Sequence, residues 1–231
     1  RERLQEEMIK AMSLVKPSRF FKLMQAAGLL GQMFPSLSRC HNLDGGPYHG
    51  ETVFEHCMRV GDALPARQPL LRLAGYLHDT GKFDAAAVKD GRLSFAGHEK
   101  WFQAAQTDLA ELRFSNRDRT YIVSLIKAHM RPLNENSSPR AVRRLLSMLN
   151  KYGLDYSDFM RMRISDRNGN VKKKPYTLGQ IREEPGVTML RIEFKARLGV
   201  AERIKLAKQR RPLAPVQVVD QRSRDPGAAH R

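Results

Sequence analysis

The chain has 231 residues, of which 41% are hydrophobic and 7% aromatic, enough for one domain with its own core or for a domain with an appendage. No apolar run approaches the roughly 18 residues of a membrane-spanning helix, and the first residues lack the apolar centre of a signal peptide. Two cysteines cannot build a disulfide framework, so a reducing cytoplasm is the expected compartment.

The net charge of +17 predicts a polyanionic partner, either RNA, DNA or an acidic surface. The charge is uneven, because residues 171–231 hold 15 Lys and Arg against 6 Asp and Glu. We expect this basic extension to bind nucleic acid; a solvated basic tail is the alternative. The chain does not begin with Met, so we expect a piece of a longer polypeptide or a processed one.

Apolar residues recur at three- and four-residue spacing, and no strand pattern of period two persists, so the predicted fold class is all-α. The predicted helices cover 2–15, 51–64 and 69–80, and others begin at His98 and Asp155. Three more begin with a predicted cap, which is Ser18, Asn116 or Ser138. Loops are predicted at 35–50, 83–97 and 133–138. A mobile connection (171–186), a basic helix (187–209) and a disordered end (211–231) complete the chain.

These elements divide the chain into an N-terminal helical segment (1–50), a metal-binding helical domain (51–170) and the basic extension (171–231). Gly81 is expected to end its helix in the left-handed conformation. Trp101 is expected in the core. Asp84, Asp90, Asp155 and Asp158 are expected on the surface or at helix caps.

The central feature of the sequence is the dipeptide His78-Asp79, which follows an apolar helix and precedes Gly81. A lone His on an apolar face is more often a hydrogen-bonded core residue than a metal ligand. Here several histidines and a second aspartate fall at helix ends or on buried faces, where an unpaired carboxylate is costly. A divalent cation would compensate that cost. The predicted ligands are His56, His78, Asp79, His98, His129 and Asp166.

Asp79 has two oxygens and could bridge two ions. One ion would take His56, His78, Asp79 and Asp166, and a second would take Asp79, His98 and His129. Mixed nitrogen and oxygen ligation suits Mn, Fe, Co, Ni, Zn or Mg without choosing among them. Such a site predicts metal-assisted hydrolysis of a phosphate ester.

The series His, His-Asp, His, His, Asp on successive helices resembles the HD-domain metallophosphohydrolase superfamily. The segments "RERLQEEMIKAMSLVKPSRFFKLMQAAGLL", "YHGETVFEHCMRV", "LRLAGYLHDTGK" and "GHEK" resemble the C-terminal half of bacterial tRNA nucleotidyltransferases, the CCA-adding enzyme and poly(A) polymerase family. The resemblance covers roughly residues 1–168. It implies an HD-domain helical bundle in which the same six residues are metal ligands and Lys82 is a candidate catalytic phosphate contact; an exposed loop lysine is the alternative for Lys82.

Some members of that family remove 2′,3′-cyclic phosphates and 2′-phosphates from RNA or nucleotides, so the resemblance implies a phosphohydrolase acting on RNA ends, with tRNA as partner. We recognise no counterpart of the family's nucleotidyltransferase domain in this sequence. We therefore expect that this domain is missing or that a partner chain supplies it. Two alternatives stay open: a non-catalytic RNA-binding body of a nucleotidyltransferase, and an HD hydrolase of free nucleotides.

Overall fold

A computed structural model describes residues 2–131 and 137–176, and these residues confirm the all-α prediction. The helices are α1 (Glu2–Met12), α2 (Ser18–Ala26), α3 (Leu30–Met33), α4 (Pro35–Ser38), α5 (Val53–Ala63), α6 (Pro69–Leu77), α7 (Lys82–Ala85), α8 (Gln103–Glu111), α9 (Asn116–Ala128), α10 (Pro139–Tyr152) and α11 (Tyr156–Gly169). No helix in this part of the chain has the length and apolar content needed to cross a bilayer. The predicted helix at 187–209 and the predicted disorder at 211–231 lie outside the described residues.

Helix α5 packs against α6 and α11, and α6 also packs against α9. The buried stripe of α5 is apolar, as its spacing predicts: Val53, Cys57 and Val60 are fully buried. Side chains from α1 and α2 join the same core. The division into 1–50, 51–170 and 171–231 stays a prediction, while apolar residues on both sides of residue 50 share one core.

The buried guanidinium of Arg72 on α6 fastens the N-terminal segment to this core. It donates to the carbonyl oxygens of Met12 at 2.6 Å and Val15 at 3.2 Å. These bonds satisfy carbonyls near the end of α1, where the helix leaves them unpaired. The predicted helix 2–15 was too long: α1 ends at Met12, and Val15 is 86% exposed.

A β-hairpin occupies part of the predicted loop 83–97. Strands β1 (Ala87–Lys89) and β2 (Arg92–Ser94) pair antiparallel around Asp90 and Gly91. Both turn residues have positive φ, 51° and 72°, as a two-residue hairpin turn of the Asp-Gly kind requires. The strands are only three residues long, too short for the period-two pattern to show.

The segment after the hairpin corrects the prediction that His98 opens a long helix. His98–Lys100 is a single 3-10 turn, entered through the left-handed Gly97, and α8 starts only at Gln103. Trp101 leaves the helical conformation (φ −94°, ψ 47°) and is 50% exposed, so its predicted core position was wrong.

Three further predictions about single residues were wrong. Ser18 does not cap α2; its hydroxyl donates to Asp62 at 2.6 Å. The residue that caps α9 is Ser115, one position before the predicted Asn116. Asp158 is buried rather than solvated, because it accepts hydrogen bonds from Gln68 and Tyr121 at 2.8 Å each.

A candidate metal centre

Three elements and the C-terminal ends of two further helices bring the six predicted ligands into one cluster. The residues stand in α5 (His56), at the C-terminal end of α6 (His78, then Asp79), in the 3-10 turn (His98), at the C-terminal end of α9 (His129) and in α11 (Asp166). Five of the side chains are between 0% and 5% exposed, whereas that of Asp166 is 29% exposed. The cluster therefore reaches solvent at Asp166.

Asp79 lies at the centre, with its two oxygens turned to different histidines. Oδ1 lies 2.9 Å from Nε2 of His98 and 3.4 Å from Nε2 of His129. Oδ2 lies 3.3 Å from Nε2 of His78 and 3.6 Å from Nε2 of His56. The carboxylate thus joins two groups of nitrogen donors.

Asp166 completes the group that faces Oδ2 of Asp79. Its Oδ1 lies 2.9 Å from Nε2 of His56 and 3.7 Å from Nε2 of His78. Donor atoms of His56, His78 and Asp166 all lie within 4.8 Å of one another, and the same holds for donor atoms of His78, Asp79 and His129.

Backbone carbonyls fix the protons of three of the rings. Nδ1 of His78, His98 and His129 lies 2.8, 3.0 and 2.6 Å from the carbonyl oxygen three residues earlier, so in each neutral ring Nδ1–H donates and Nε2 keeps a lone pair. These lone pairs face the cluster. Such an outer hydrogen bond is the usual way in which a metal-binding histidine is oriented.

The donor set fits divalent cations. Two atoms that each lie about 2.1 Å from one cation are separated by about 3.0 Å at a right angle and about 3.4 Å at a tetrahedral angle. The donor separations here, 2.9 to 3.7 Å, fall around those values. Nε2 of His78 is buried without a hydrogen-bond partner, so this donor atom is available to a cation.

The electrostatics of the cluster favour positive charge at its centre. Burial disfavours a charged His78, but Asp79 outweighs burial and raises the pKa of that ring well above its ordinary value. Burial alone would raise the pKa of Asp79, but the neighbouring His78 and Lys82 outweigh burial and hold it well below its ordinary value. In Asp166, likewise, the hydrogen bond with His56 and the neighbouring His78 outweigh burial and lower the pKa. Burial lowers the pKa of His129, which favours its neutral, ligating form. Carboxylates that stay ionised while buried require positive charge beside them.

Lys82, the predicted phosphate contact, lies inside the site and not on an exposed loop. Its side chain is 6% exposed, and Nζ lies 2.7 Å from Oδ2 of Asp79 and 3.3 Å from Nε2 of His49. Burial disfavours the ammonium, but Asp79 outweighs burial and raises the pKa of Lys82. The lysine is held charged at the edge of the cluster.

Gly81 brings the two halves of the site together. Its backbone is right-handed (φ −66°), so the predicted left-handed helix stop was wrong. The glycine is needed for another reason: a Cβ at this position would lie 2.4 Å from the carbonyl oxygen of His98 and 2.8 Å from that of Trp101. The absence of a side chain lets the turn that carries His98 approach the turn that carries Asp79.

Sequence reasoning missed Glu51. This residue was placed at the start of a helix, but Thr52 caps α5, and the Glu51 carboxylate turns inward to lie 3.3 Å from Nδ1 of His56. Burial raises its pKa, but the hydrogen bond with His56 and that from the amide of Gly50 outweigh burial and lower it to about 2. In the sequence, the contact between Glu51 and His56 is indicated only by their short separation of five residues.

His49, which the sequence placed outside the ligand set, adjoins it. Its Nδ1 lies 3.5 Å from Glu51 Oε1, and donor atoms of His49, Glu51 and His56 form a third group within 4.8 Å. Burial and then Lys82 lower the pKa of His49 to about 4, so the ring is neutral at pH 7. His41 lies apart, against the ring of Phe54, and His230 is outside the described residues.

The fold and the cluster therefore define an all-α protein in which groups of histidine and aspartate side chains between helices could hold a metal ion. Comparison with known proteins adds a relation in sequence. The family described as "Probable RNA and SrmB- binding site of polymerase A" matches residues 1–40.

Three relatives agree with that match. The CC-adding tRNA nucleotidyltransferase of Thermus thermophilus is 30% identical over 154 residues, which cover 62% of this chain and 34% of the relative. The Multifunctional CCA protein of Methylobacillus flagellatus is 28% identical over 138 residues, covering 55% and 32%. That of Cupriavidus metallidurans is 30% identical over 108 residues, covering 43% and 24%. These similarities support a relation to tRNA nucleotidyltransferases, although the matched residues span only about a third of those relatives or less.

Proposed function

We propose that this chain binds RNA and that its histidine–aspartate cluster is an HD-type metal centre that hydrolyses phosphate esters at RNA ends or in nucleotides. The observation that carries the proposal is Asp79, whose two oxygens each face a separate pair of histidine nitrogens at 2.9 to 3.6 Å.

The RNA-binding part is supported by the sequence comparisons. The family that matches residues 1–40 is described as an RNA-binding site, and the names of the relatives refer to tRNA or to CCA. The net charge of +17 gives the electrostatic attraction that binding to a phosphate backbone requires.

The hydrolytic part is supported by the arrangement of the side chains. His56, His78 and Asp166 would hold one ion and His98 and His129 the other, with Asp79 between them. Divalent ions in such a pair supply Lewis acidity and activate water for attack on phosphorus. Asp166 is the exposed edge through which a phosphate ester can approach. Lys82, held charged beside Asp79, offsets negative charge on the phosphoryl oxygens.

The test is an assay on a 2′,3′-cyclic nucleotide monophosphate, with the protein loaded separately with Mn, Co, Ni, Zn and Mg. Ring opening or phosphate release by the unaltered protein and its loss in Asp79→Asn are expected. Asp84→Asn is the matched control, because Asp84 lies a few residues along and pairs with Arg39 outside the cluster. Equal activity of Asp79→Asn and Asp84→Asn would refute the hydrolytic role.

A second candidate is a non-catalytic RNA-binding body of a nucleotidyltransferase-related protein, in which the ions are structural. The comparisons favour this function directly, since every relative described above is a nucleotidyltransferase or a CCA protein. Salt-sensitive tRNA binding without hydrolysis of cyclic nucleotides would select it. Hydrolysis of free nucleotides without tRNA binding would instead select an HD hydrolase of nucleotides.

A further inference from the structure

Helix α10 has an unusual charge composition for a surface helix. Its sequence, PRAVRRLLSMLNKY, contains four cations and no carboxylate. The cations Arg140, Arg143, Arg144 and Lys151 are all exposed and are called here the α10 basic face.

The α10 basic face lies opposite the buried side of the helix. At about 100° per residue, Arg140, Arg144 and Lys151 fall within about 40° of one another, and Arg143 lies about 60° to one side of Arg140. Val142, Leu145 and Leu149 form the opposite stripe and are between 0% and 5% exposed. The apolar stripe is already covered by the core, so only the basic face is left for a partner.

The charges of this face are not neutralised within residues 2–131 and 137–176. No ion pair or hydrogen bond in that part of the chain involves the side chain of any of its four members. Helix α1 differs, because it carries acidic residues of its own and its Lys10 pairs with Glu7 at 2.8 Å. Unpaired cations along a helix attract a polyanion at long range.

We propose that the α10 basic face is a contact surface for an RNA phosphate backbone, separate from residues 1–40; this inference rests on the RNA-binding part of the proposed function. From Arg140 to Lys151 the helix rises about 16 Å, a length that meets several successive phosphates of a nucleic acid strand. Arg contributes a planar fork that matches two phosphate oxygens, and three of the four cations are Arg. A membrane surface fits less well, since the large apolar side chains of α10 are buried or partly buried against the core and offer little for insertion.

The test compares two double variants of equal charge. Arg143→Gln with Arg144→Gln removes half of the basic face, and Arg67→Gln with Lys89→Gln removes two exposed cations elsewhere. The affinity for tRNA is measured by fluorescence anisotropy from 50 to 300 mM salt. The first variant is expected to bind roughly tenfold more weakly at 0.15 M salt and to lose about 1.4 to 1.8 from the slope of log K against log salt. The control should stay within about twofold.

Restoring cations through Arg143→Lys with Arg144→Lys should recover most of the affinity. Equal tRNA binding by the Gln double variant and the control would overturn the inference, as would an effect confined to vesicles of anionic lipid. Hydrolysis of a cyclic mononucleotide should be unchanged in both double variants. If the unaltered protein does not hydrolyse the cyclic mononucleotide, only the hydrolytic part of the proposed function fails. If the unaltered protein does not bind tRNA, the RNA-binding part of the proposed function and the inference about the α10 basic face both fail.

Discussion

Nε2 of His98 and Nε2 of His129 face each other at 3.2 Å, and each ring uses its Nδ1 to bind a backbone carbonyl. In their neutral forms neither ring has a proton to place between the two nitrogens, so two lone pairs point at one another. The contact becomes favourable when a cation shares both lone pairs. Oδ1 of Asp79, 2.9 Å from His98, completes three donors around that position.

Replacing His98 should therefore remove one ion and leave the other. His98→Asn is expected to lower the bound divalent metal by about one ion per chain, because His56, His78 and Asp166 do not depend on it. Metal content after dialysis is the measurement. His41→Asn is the matched control, since His41 packs against Phe54 away from the cluster. Unchanged metal content in His98→Asn would contradict the two-ion arrangement.

Glu51 is expected to act through His56. Glu51→Gln removes the carboxylate that lies 3.3 Å from Nδ1 of His56, and loss of such an outer partner typically costs about 10- to 100-fold in metal affinity or activity. Competition with a fluorescent chelator measures the affinity. Glu55→Gln, which lies on α5 with His56 but is paired with Lys22 at the surface, should leave the metal affinity unaltered. Similar affinities for the two variants would argue against a positioning role for Glu51.

Gly81→Ala should destabilise the fold and disturb the site. The added Cβ would lie 2.4 Å from the carbonyl oxygen of His98, and overpacking of this kind typically costs about 1 to 3 kcal/mol. Urea denaturation gives the free energy of unfolding. Gly31→Ala is the control, because its Cβ would meet only the side chain of Ser38, at an ordinary distance of 3.6 Å or more. A stability for Gly81→Ala equal to that of the unaltered protein would show that the two turns are free to separate.

Asp108→Asn should stabilise the protein at pH 7. Burial raises the pKa of Asp108, so between the unfolded and folded pKa values the folded protein binds more protons, and its stability falls as the pH rises through that interval. Asn removes the buried charge and keeps an oxygen to accept the 3.0 Å hydrogen bond from the amide of Ser36. The gain in Tm should shrink as the pH falls towards about 4, near the ordinary carboxyl value. A gain independent of pH would point to packing instead.

The helices and the six clustered residues could be predicted from the sequence because each depends on local pattern. Apolar spacing placed His56 and Asp166 on buried helix faces, and the Ser138-Pro139 start of α10 was read correctly from its cap. Gly153 ends that helix in the left-handed conformation, φ 63°, as its position indicates.

The remaining features depend on contacts between segments far apart in the chain. The sequence indicates a helix stop at Gly81. A side chain is excluded at this position because the turn that carries His98 lies too close to it, and this contact cannot be predicted from local sequence. Asp158 looked like a surface residue because its partners Gln68 and Tyr121 lie on other helices. Glu51 was missed because its inward turn follows from the cap that precedes α5 and not from helical periodicity.

Metal analysis of the purified protein tests the central claim most directly. After incubation with Mn, Co, Ni or Zn and exhaustive dialysis, the unaltered protein should retain one or two ions per chain, and Asp79→Ala should retain none while circular dichroism shows a similar helix content. A protein that keeps no divalent ion under any of these conditions, or an Asp79→Ala variant that keeps the full amount, would contradict the assignment of these six side chains to a metal centre.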